Sequence, residues 1–350
     1  MNNYDKILII GPSWLGDSVI SQTIINILKK KQKTKIDIVT PKYCRELYCQ
    51  IPEVNKIIIN PLQHGTIKLN KIYQFSKMLR KEQYEQAIIL PNSFKAALIP
   101  VFAKIPLRTG WRGEMRYGIL NDLRILDKKK FPLIIQRYAA LAFEKHLMKN
   151  FNDLPSPLPL PKISIQKKKI KRTLQKFKIN NKRPLIGMCP GYGSNSAKCW
   201  PYYYYASLTS KLIEYGYQIA IFGSIKNKQI GLYITHEINI KNKSHYHNLV
   251  GATSLNETIN LIANCEAIVS NDSGLMHVAS ALNCPTIILS GLSTPHIIST
   301  PPLSQSAYIM QSTIKNTQQK INYQQNLIEI KPIKVLNTLH NLLSKIKEKK

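Results

Sequence analysis

Lys6-Ile7-Leu8-Ile9-Ile10-Gly11-Pro12-Ser13-Trp14-Leu15-Gly16-Asp17-Ser18 is the stretch whose reading decides the fold. An apolar run of strand length passes through a glycine-bearing loop into a segment whose apolar residues Ile20, Ile24, Ile27 and Leu28 recur at helical spacing. Strand, loop and helix in that order open a βαβ unit. Further β-branched runs at Ile36–Thr40, Lys56–Ile59 and Gln86–Leu90 extend it, each followed by a loop and a helical stretch. The pattern predicts a doubly wound parallel sheet. Further out, NDLPSPLPLPKI between Asn152 and Ile163 sets four prolines at alternate positions, which neither a helix nor a central strand tolerates. The alternation restarts beyond this linker, with strands expected at Pro184–Cys189, Gln218–Phe222, Ala267–Ser270 and Thr286–Ser290. The basic cluster from Lys167 to Lys178 has helical spacing and reads as a solvated helix face. The fold class is α/β: a Rossmann-like domain over 1–153, a proline-rich linker over 154–166, a second Rossmann-like domain over 167–330 and a terminal helical segment over 331–350. Two such domains are expected to turn the carboxyl ends of their parallel strands toward a central cleft, where open α/β sheets take their ligands.

The 350 residues carry 50 Lys and Arg against 19 Asp and Glu, a net charge of +31. Such an excess fits an anionic partner, whether nucleic acid, a membrane face or a phosphorylated substrate. A drift in composition toward Lys, Ile, Asn and Tyr accounts for it equally well. No zinc spacing, RNA-recognition signature or basic heptad accompanies the charge, so no nucleic-acid partner is expected. The cysteines (Cys44, Cys49, Cys189, Cys199, Cys265, Cys284) lack paired metal-ligand spacing and are expected as reduced thiols. No acidic cluster offers a catalytic metal site, and neither metal nor cofactor is assigned. The first apolar run is too short for a signal-peptide core, and Ala87 to Leu107 is broken by Pro91, Asn92, Lys95, Pro100 and Lys104. A soluble cytoplasmic protein is the expectation.

Three loops carry chemistry. The first has the glycine spacing of a P-loop, but Asp17 stands where a P-loop needs lysine, which excludes a triphosphate cradle. A carboxylate in the first turn of a helix is favoured in its ionised form by the helix N-terminus, so Asp17 reads as a proton acceptor; a plain helix cap fits the same spacing. The second loop, Cys189-Pro190-Gly191-Tyr192-Gly193-Ser194-Asn195-Ser196-Ala197-Lys198-Cys199-Trp200-Pro201, joins small and hydroxyl residues to one lysine just ahead of a helix. Those are the parts of a diphosphate site, with Ser194 and Lys198 as its side-chain ligands, although Lys198 could equally be a solvated lysine. In the third, Val269-Ser270-Asn271-Asp272-Ser273-Gly274-Leu275-Met276-His277-Val278-Ala279, Asp272 and Ser273 are good N-caps and Gly274 admits a close ligand. His277 falls one turn into that helix, a position that also suits an ordinary packed histidine.

With these residues in hand the chain resembles the ADP-heptose:lipopolysaccharide heptosyltransferases of glycosyltransferase family 9, and within them the second-heptose subgroup. The resemblance rests on GPSWLGDSVISQ at 11–22, NSFKAAL at 92–98, RTGWRGEMRYGILND at 108–122, AKCWP at 197–201, VSNDSGLMHVA at 269–279 and TPPLS at 300–304. It implies a GT-B fold with a final helix crossing back onto the first domain. It also implies inverting transfer of heptose from an ADP-heptose donor to a phosphorylated, Kdo-containing lipid A acceptor, with peripheral contact at the inner membrane. Asp17 becomes the catalytic base, Ser194 and Lys198 diphosphate ligands, and Asp272, Ser273, Gly274 and His277 the nucleotide end. Cys199 stands where the family usually has arginine, and Tyr192 to Ser196 replace a longer acidic and aromatic stretch, which implies a weaker hold on the diphosphate. Addition of the first or third heptose, and a sugar-nucleotide epimerase on the same fold, are the rival readings. On the acceptor side, Arg108, Arg112, Arg116 and Arg124 are spaced by four and eight, which allows one basic surface on a helix or helix-like loop. Guanidinium forks suit the carboxylates and phosphates of an inner core, and pairing with Glu114 or Asp122 is the structural alternative.

Overall fold

Continuous β-branched runs buried on both faces are what a parallel sheet requires, and they set both halves of the computed structural model. It describes residues 4–31, 33–62, 68–180, 182–191, 199–238, 240–291, 307–311 and 327–348. The first compact unit runs to Pro161 and the second starts at Lys162.

In the first unit the order is β1 (Lys6–Ile10), α1 (Leu15–Ile20), α2 (Gln22–Lys31), β2 (Lys35–Thr40), α3 (Arg45–Tyr48), β3 (Lys56–Ile59), α4 (Leu69–Arg80), β4 (Gln86–Ile89), α5 (Phe94–Phe102), β5 (Leu107–Trp111), β6 (Asp122–Arg124) and α6 (Ile134–Ala140). The described strands form a parallel sheet in the order β3-β2-β1-β4-β5-β6, with Ile7 registered against Ile36 on one side and Gln86 on the other. Leu8, Ile10, Ala87 and Ile89 from the sheet pack with Ile72, Phe75 and Leu79 of α4 and Ala97 and Ile99 of α5. Burying each large aliphatic side chain contributes roughly 1.5–3 kcal/mol, so this face is the main support of the unit. At the opposite end of the strands from the functional loops, buried Asp37 accepts hydrogen bonds from Tyr84 Oη (2.8 Å) and Asn55 Nδ2 (2.7 Å). Residues 108–124 do not form the helix or helix-like loop that the arginine spacing suggests. They build β5, a connecting loop and β6, because Thr109 and Gly110 are held in register with Ile88 and Ile89 of β4.

The second unit contains α7 (Lys167–Lys176), β7 (Leu185–Cys189), α8 (Tyr202–Glu214), β8 (Gln218–Ile221), α9 (Lys228–Glu237), β9 (Tyr246–Asn248), α10 (Leu255–Ile262), β10 (Ala267–Asn271), α11 (Gly274–Ala281), β11 (Thr286–Ser290), β12 (Ala307–Gln311) and α12 (Pro332–Lys347). Read from one edge, its parallel sheet runs β9-β8-β7-β10-β11-β12, the connectivity of the first unit repeated. α10 begins in a reciprocal cap: Ser254 Oγ accepts the Glu257 N–H (3.2 Å) while a Glu257 carboxylate oxygen accepts the Ser254 N–H (2.8 Å). α7 exposes its lysines and buries Thr173 and Leu174, as a solvated amphipathic helix should. α12 starts on Pro332 and buries Leu336, Leu339 and Leu343 in the core shared with Leu208 and Leu212 of α8. Among the described residues no helix is long and apolar enough to cross a membrane.

Candidate active site

In each sheet the strand order reverses once, between β1 and β4 in the first unit and between β7 and β10 in the second. Loops leaving the carboxyl ends of such strand pairs diverge and open a crevice for ligands. The sequence-selected loops fall on these places: 11–14 follow β1, 190–199 follow β7 and 272–273 follow β10.

Asp17 lies in the first turn of α1, directly beyond the loop from β1. The helix-N-terminus argument leads one to expect a carboxyl held in its usual acidic range or below. The structure reverses that direction: burial pushes the Asp17 carboxyl up from 3.8 to about 6. Desolvation outweighs the short helix, and among the described residues no hydrogen bond or cation compensates the charge. Around it, Ser18 Oγ donates to the Trp14 carbonyl (2.9 Å) and Ser21 Oγ shares a hydrogen bond with Tyr48 Oη (3.0 Å). Tyr48 and Tyr138 are phenols pushed upward chiefly by burial, with the Asp17 charge adding to the shift. Cys44, against Ser18 Oγ at 3.5 Å, is likewise raised by burial, to about 11, and stays a neutral thiol. Asp17 is thus a half-buried carboxylate whose charge acts on the neutral phenols Tyr48 and Tyr138, and its elevated pKa matches a base working near neutrality.

In the second unit Ser273 heads α11 with no side-chain cap and with no acidic residue in the first turn. Its hydroxyl meets Ser270 Oγ instead (3.2 Å), so the positive end of the helix is not neutralised by its own N-cap side chain. Gly274 is the first helical residue, and Asp272 and Ser273 are half-buried beside it. His277 is half-buried one turn in, and burial pushes its imidazole down to about 4, so it is neutral at physiological pH. A neutral imidazole can donate or accept a hydrogen bond but carries no positive charge. Ser194 and Lys198 lie outside the described residues, as does the TPPLS segment.

What anchors both ends of the 190–199 loop is Asn271, a residue quoted in the third motif but given no role there. Its Nδ2 donates to the Pro190 carbonyl (2.9 Å), and its Oδ1 accepts Trp200 N–H (3.2 Å) and Tyr205 Oη (3.1 Å). Trp200, fully buried, donates Nε1 to the Ile330 carbonyl (2.7 Å) just before α12. Gly191 closes the arrangement: a Cβ there would stand 2.6 Å from Asn227 Oδ1 in the loop after β8. The available signal for Asn271 was an amide following Ser270 at the end of the apolar run AIV, since a buried polar group must find partners.

The proposed acceptor arginines divide. Arg116 is fully buried and donates to the Pro91 carbonyl (2.8 Å), Asn92 Oδ1 (3.2 Å) and the Trp111 carbonyl. Burial lowers its guanidinium to about 10. It ties the loop after β4 to the end of β5 and cannot hold an acceptor as well. Gly113 permits the same closure, because a Cβ there would fall 2.4 Å from the Asn92 carbonyl oxygen. Arg108 spends its donors on the carbonyls of Ile119 (2.7 Å) and Ile105 (2.7 Å), and Arg124 pairs with Asp122 (2.8 Å) and the Ala140 carbonyl (2.8 Å). Glu114 caps α5 by accepting the Phe94 N–H (2.9 Å). Arg112 differs: it is exposed, and its guanidinium has no partner among the described residues. The four arginines therefore do not form one basic surface, since strand, loop and edge strand point them to different places.

Two Rossmann-type parallel units, each with its candidate residues at the strand-order reversal, make up the GT-B architecture of glycosyltransferases. The model of glycosyltransferase family 9 (heptosyltransferase) matches residues 72–330, and the chain belongs to that family. It is 44% identical to lipopolysaccharide heptosyltransferase 2 of Escherichia coli K12 over 97% of this chain and 98% of the relative. Identity to the Salmonella typhimurium lipopolysaccharide heptosyltransferase 2 is 45%, over 97% of this chain and 99% of that one. The solved structure of E. coli ADP-heptose lps heptosyltransferase II superposes with a TM-score of 0.90 at 44% identity, covering 98% of this chain and 99% of its own.

Proposed function

We propose that this chain is an inverting glycosyltransferase that moves a heptose from ADP-heptose onto the heptosyl-Kdo2-lipid A inner core, filling the second heptose position of lipopolysaccharide. The observation that carries the reading is 44–45% identity, over nearly the whole length of both chains, to relatives named heptosyltransferase 2. The desolvated, unpaired carboxylate of Asp17 supplies the chemistry such a transfer needs.

An acceptor hydroxyl attacks the anomeric carbon as ADP departs from the opposite face, through a transition state with oxocarbenium character like that of glycoside hydrolysis. The Asp17 carboxylate takes the hydroxyl proton; with its pKa raised to about 6 it is a stronger acceptor than a solvated aspartate yet still ionised at pH 7. Charge accumulating on the leaving diphosphate is met by the N-terminus of α11 at Ser273 and Gly274, with Lys198 and Ser194 taking diphosphate oxygens as the sequence motif implies. Asp272 and neutral His277 take the nucleotide end by hydrogen bonding. Arg112 holds an anionic group of the acceptor, a role its exposure supports. The acceptor is lipid-anchored, so the enzyme works in peripheral contact with the cytoplasmic face of the inner membrane. The test is mass spectrometry of the lipid product after incubating purified protein with ADP-heptose and a one-heptose acceptor. Gain of a single heptose is expected; consumption of ADP-heptose without a heavier lipid overturns the reading.

A further inference from the structure

We propose that an exposed aromatic and basic face on α8 and α9 docks the protein on the anionic surface of a phospholipid bilayer. The inference deepens the membrane contact assumed above and rests on the lipid-anchored acceptor for its purpose.

Ring contacts join the first turn of α8 to α9. Tyr202 and Tyr203 in the first turn of α8 contact each other edge-on at 5.5 Å, and Tyr202 reaches across to Tyr233 of α9 at 5.3 Å. Tyr203 meets Tyr204 at 4.9 Å, and Lys331 Nζ donates to Tyr204 Oη (2.7 Å). Ile225 (63% exposed), Leu232 (49%) and Tyr233 (49%) widen the apolar area, and Tyr203 is itself 44% exposed. Large side chains left this far in solvent, on helices whose other faces fill the core, mark a surface for interaction.

Its charge selects the partner. Lys226 and Lys228 are exposed on the same turn as Ile225, and Lys331 borders the tyrosines. Residues 200–210 and 225–235 contain no carboxylate, and Glu329, whose charge acts on Lys331, is an acidic neighbour at the border of the face. Tyrosine rings put an apolar body and a polar hydroxyl at headgroup depth, and lysines around them are drawn to anionic lipid. A bilayer satisfies all three features with one surface. The face also sits at the start of α8 and α9, at the carboxyl ends of β7 and β8.

The experiment is co-sedimentation of the full chain, without substrates, with vesicles of phosphatidylethanolamine and phosphatidylglycerol or of phosphatidylcholine alone. Wild type is expected to partition onto the anionic vesicles and to be released by salt. The double variants Tyr202→Ala with Tyr233→Ala, and Lys226→Glu with Lys228→Glu, should each lower partitioning by ~10-fold or more. The lysine pair is solvated, which keeps the test valid if the tyrosine pair loosens the fold. ADP release with a deacylated, water-soluble one-heptose acceptor should be unchanged in both variants. Equal partitioning of variants and wild type overturns the docking face, as does indifference to lipid charge. A change in sedimentation mass on mutation also overturns it, by assigning the face to a second copy of the chain. Absence of ADP release in wild type would count against heptose transfer instead, and vesicle binding reads out separately from it.

Discussion

Asp17→Asn removes the half-buried charge on which the proposed chemistry depends while keeping the shape of the side chain. In the folded protein the carboxyl titrates at about 6 rather than 3.8. Keeping it ionised at neutral pH therefore costs folding free energy. At ~1.4 kcal/mol per pKa unit the shift corresponds to about 3 kcal/mol, which partial solvent screening of a half-buried group reduces to ~1–3 kcal/mol. A raised carboxyl makes no difference below the unfolded pKa, where both states are protonated; the penalty accumulates as pH rises through about 4 to 6 and is complete above. The asparagine variant should therefore be more stable than wild type by ~1–3 kcal/mol at pH 7.5, with the advantage shrinking toward pH 5. Its turnover should fall by roughly 10²–10⁴-fold, as for loss of a general base, and wild-type kcat/KM should decline below about pH 6. Urea unfolding at several pH values and initial rates of ADP release check both halves. Near-normal turnover, or a stability difference that does not vary with pH, would refute the assignment of Asp17 as the base.

Arg112→Ala should raise the acceptor KM with little effect on ADP-heptose affinity or thermal stability, and Arg112→Lys should restore it in part; impaired donor binding instead would move the acceptor contact elsewhere. Arg116→Ala should act as a folding mutation, losing about 3 kcal/mol or more as buried carbonyls lose their donor, with soluble yield falling ahead of any specific change in KM. Asn271→Ala should loosen both ends of the 190–199 loop, costing ~2–3 kcal/mol and raising the ADP-heptose KM while the acceptor KM holds; calorimetry and steady-state kinetics separate these outcomes.

The strands legible in the sequence were those whose surroundings leave a mark on composition. Lys6–Ile10 and Thr286–Ser290 read as apolar runs because strands flanked on both sides by parallel neighbours need apolar side chains, and Lys56–Ile59 reads as a strand from its three isoleucines although it lies at a sheet edge. β5 and β6 did not read as strands: LRTGW and DLR are short, lie toward one edge and carry arginines that tie down loops rather than fill a core. A spacing of four between arginines says nothing about where each one points, and here it arises from a strand, a turn and a neighbouring strand. Asp17 was legible by type and place, as a carboxylate where a phosphate loop would hold lysine. The direction of its pKa was not, because desolvation depends on Tyr48, Tyr138 and other residues brought in from distant parts of the chain. The glycine-lined loop before Trp200 was visible as a motif, whereas the amide that fastens it, Asn271, shows its role in hydrogen bonds spanning 66 to 81 residues.

The central claim is heptose transfer to an acceptor that already bears one heptose, and ADP release measured on purified precursors carrying zero, one or two heptoses tests it most directly. The account predicts rapid, acceptor-dependent release with the one-heptose precursor and little with the other two. A preference for the zero- or two-heptose precursor, or release of ADP at the same rate with no acceptor present, would contradict it.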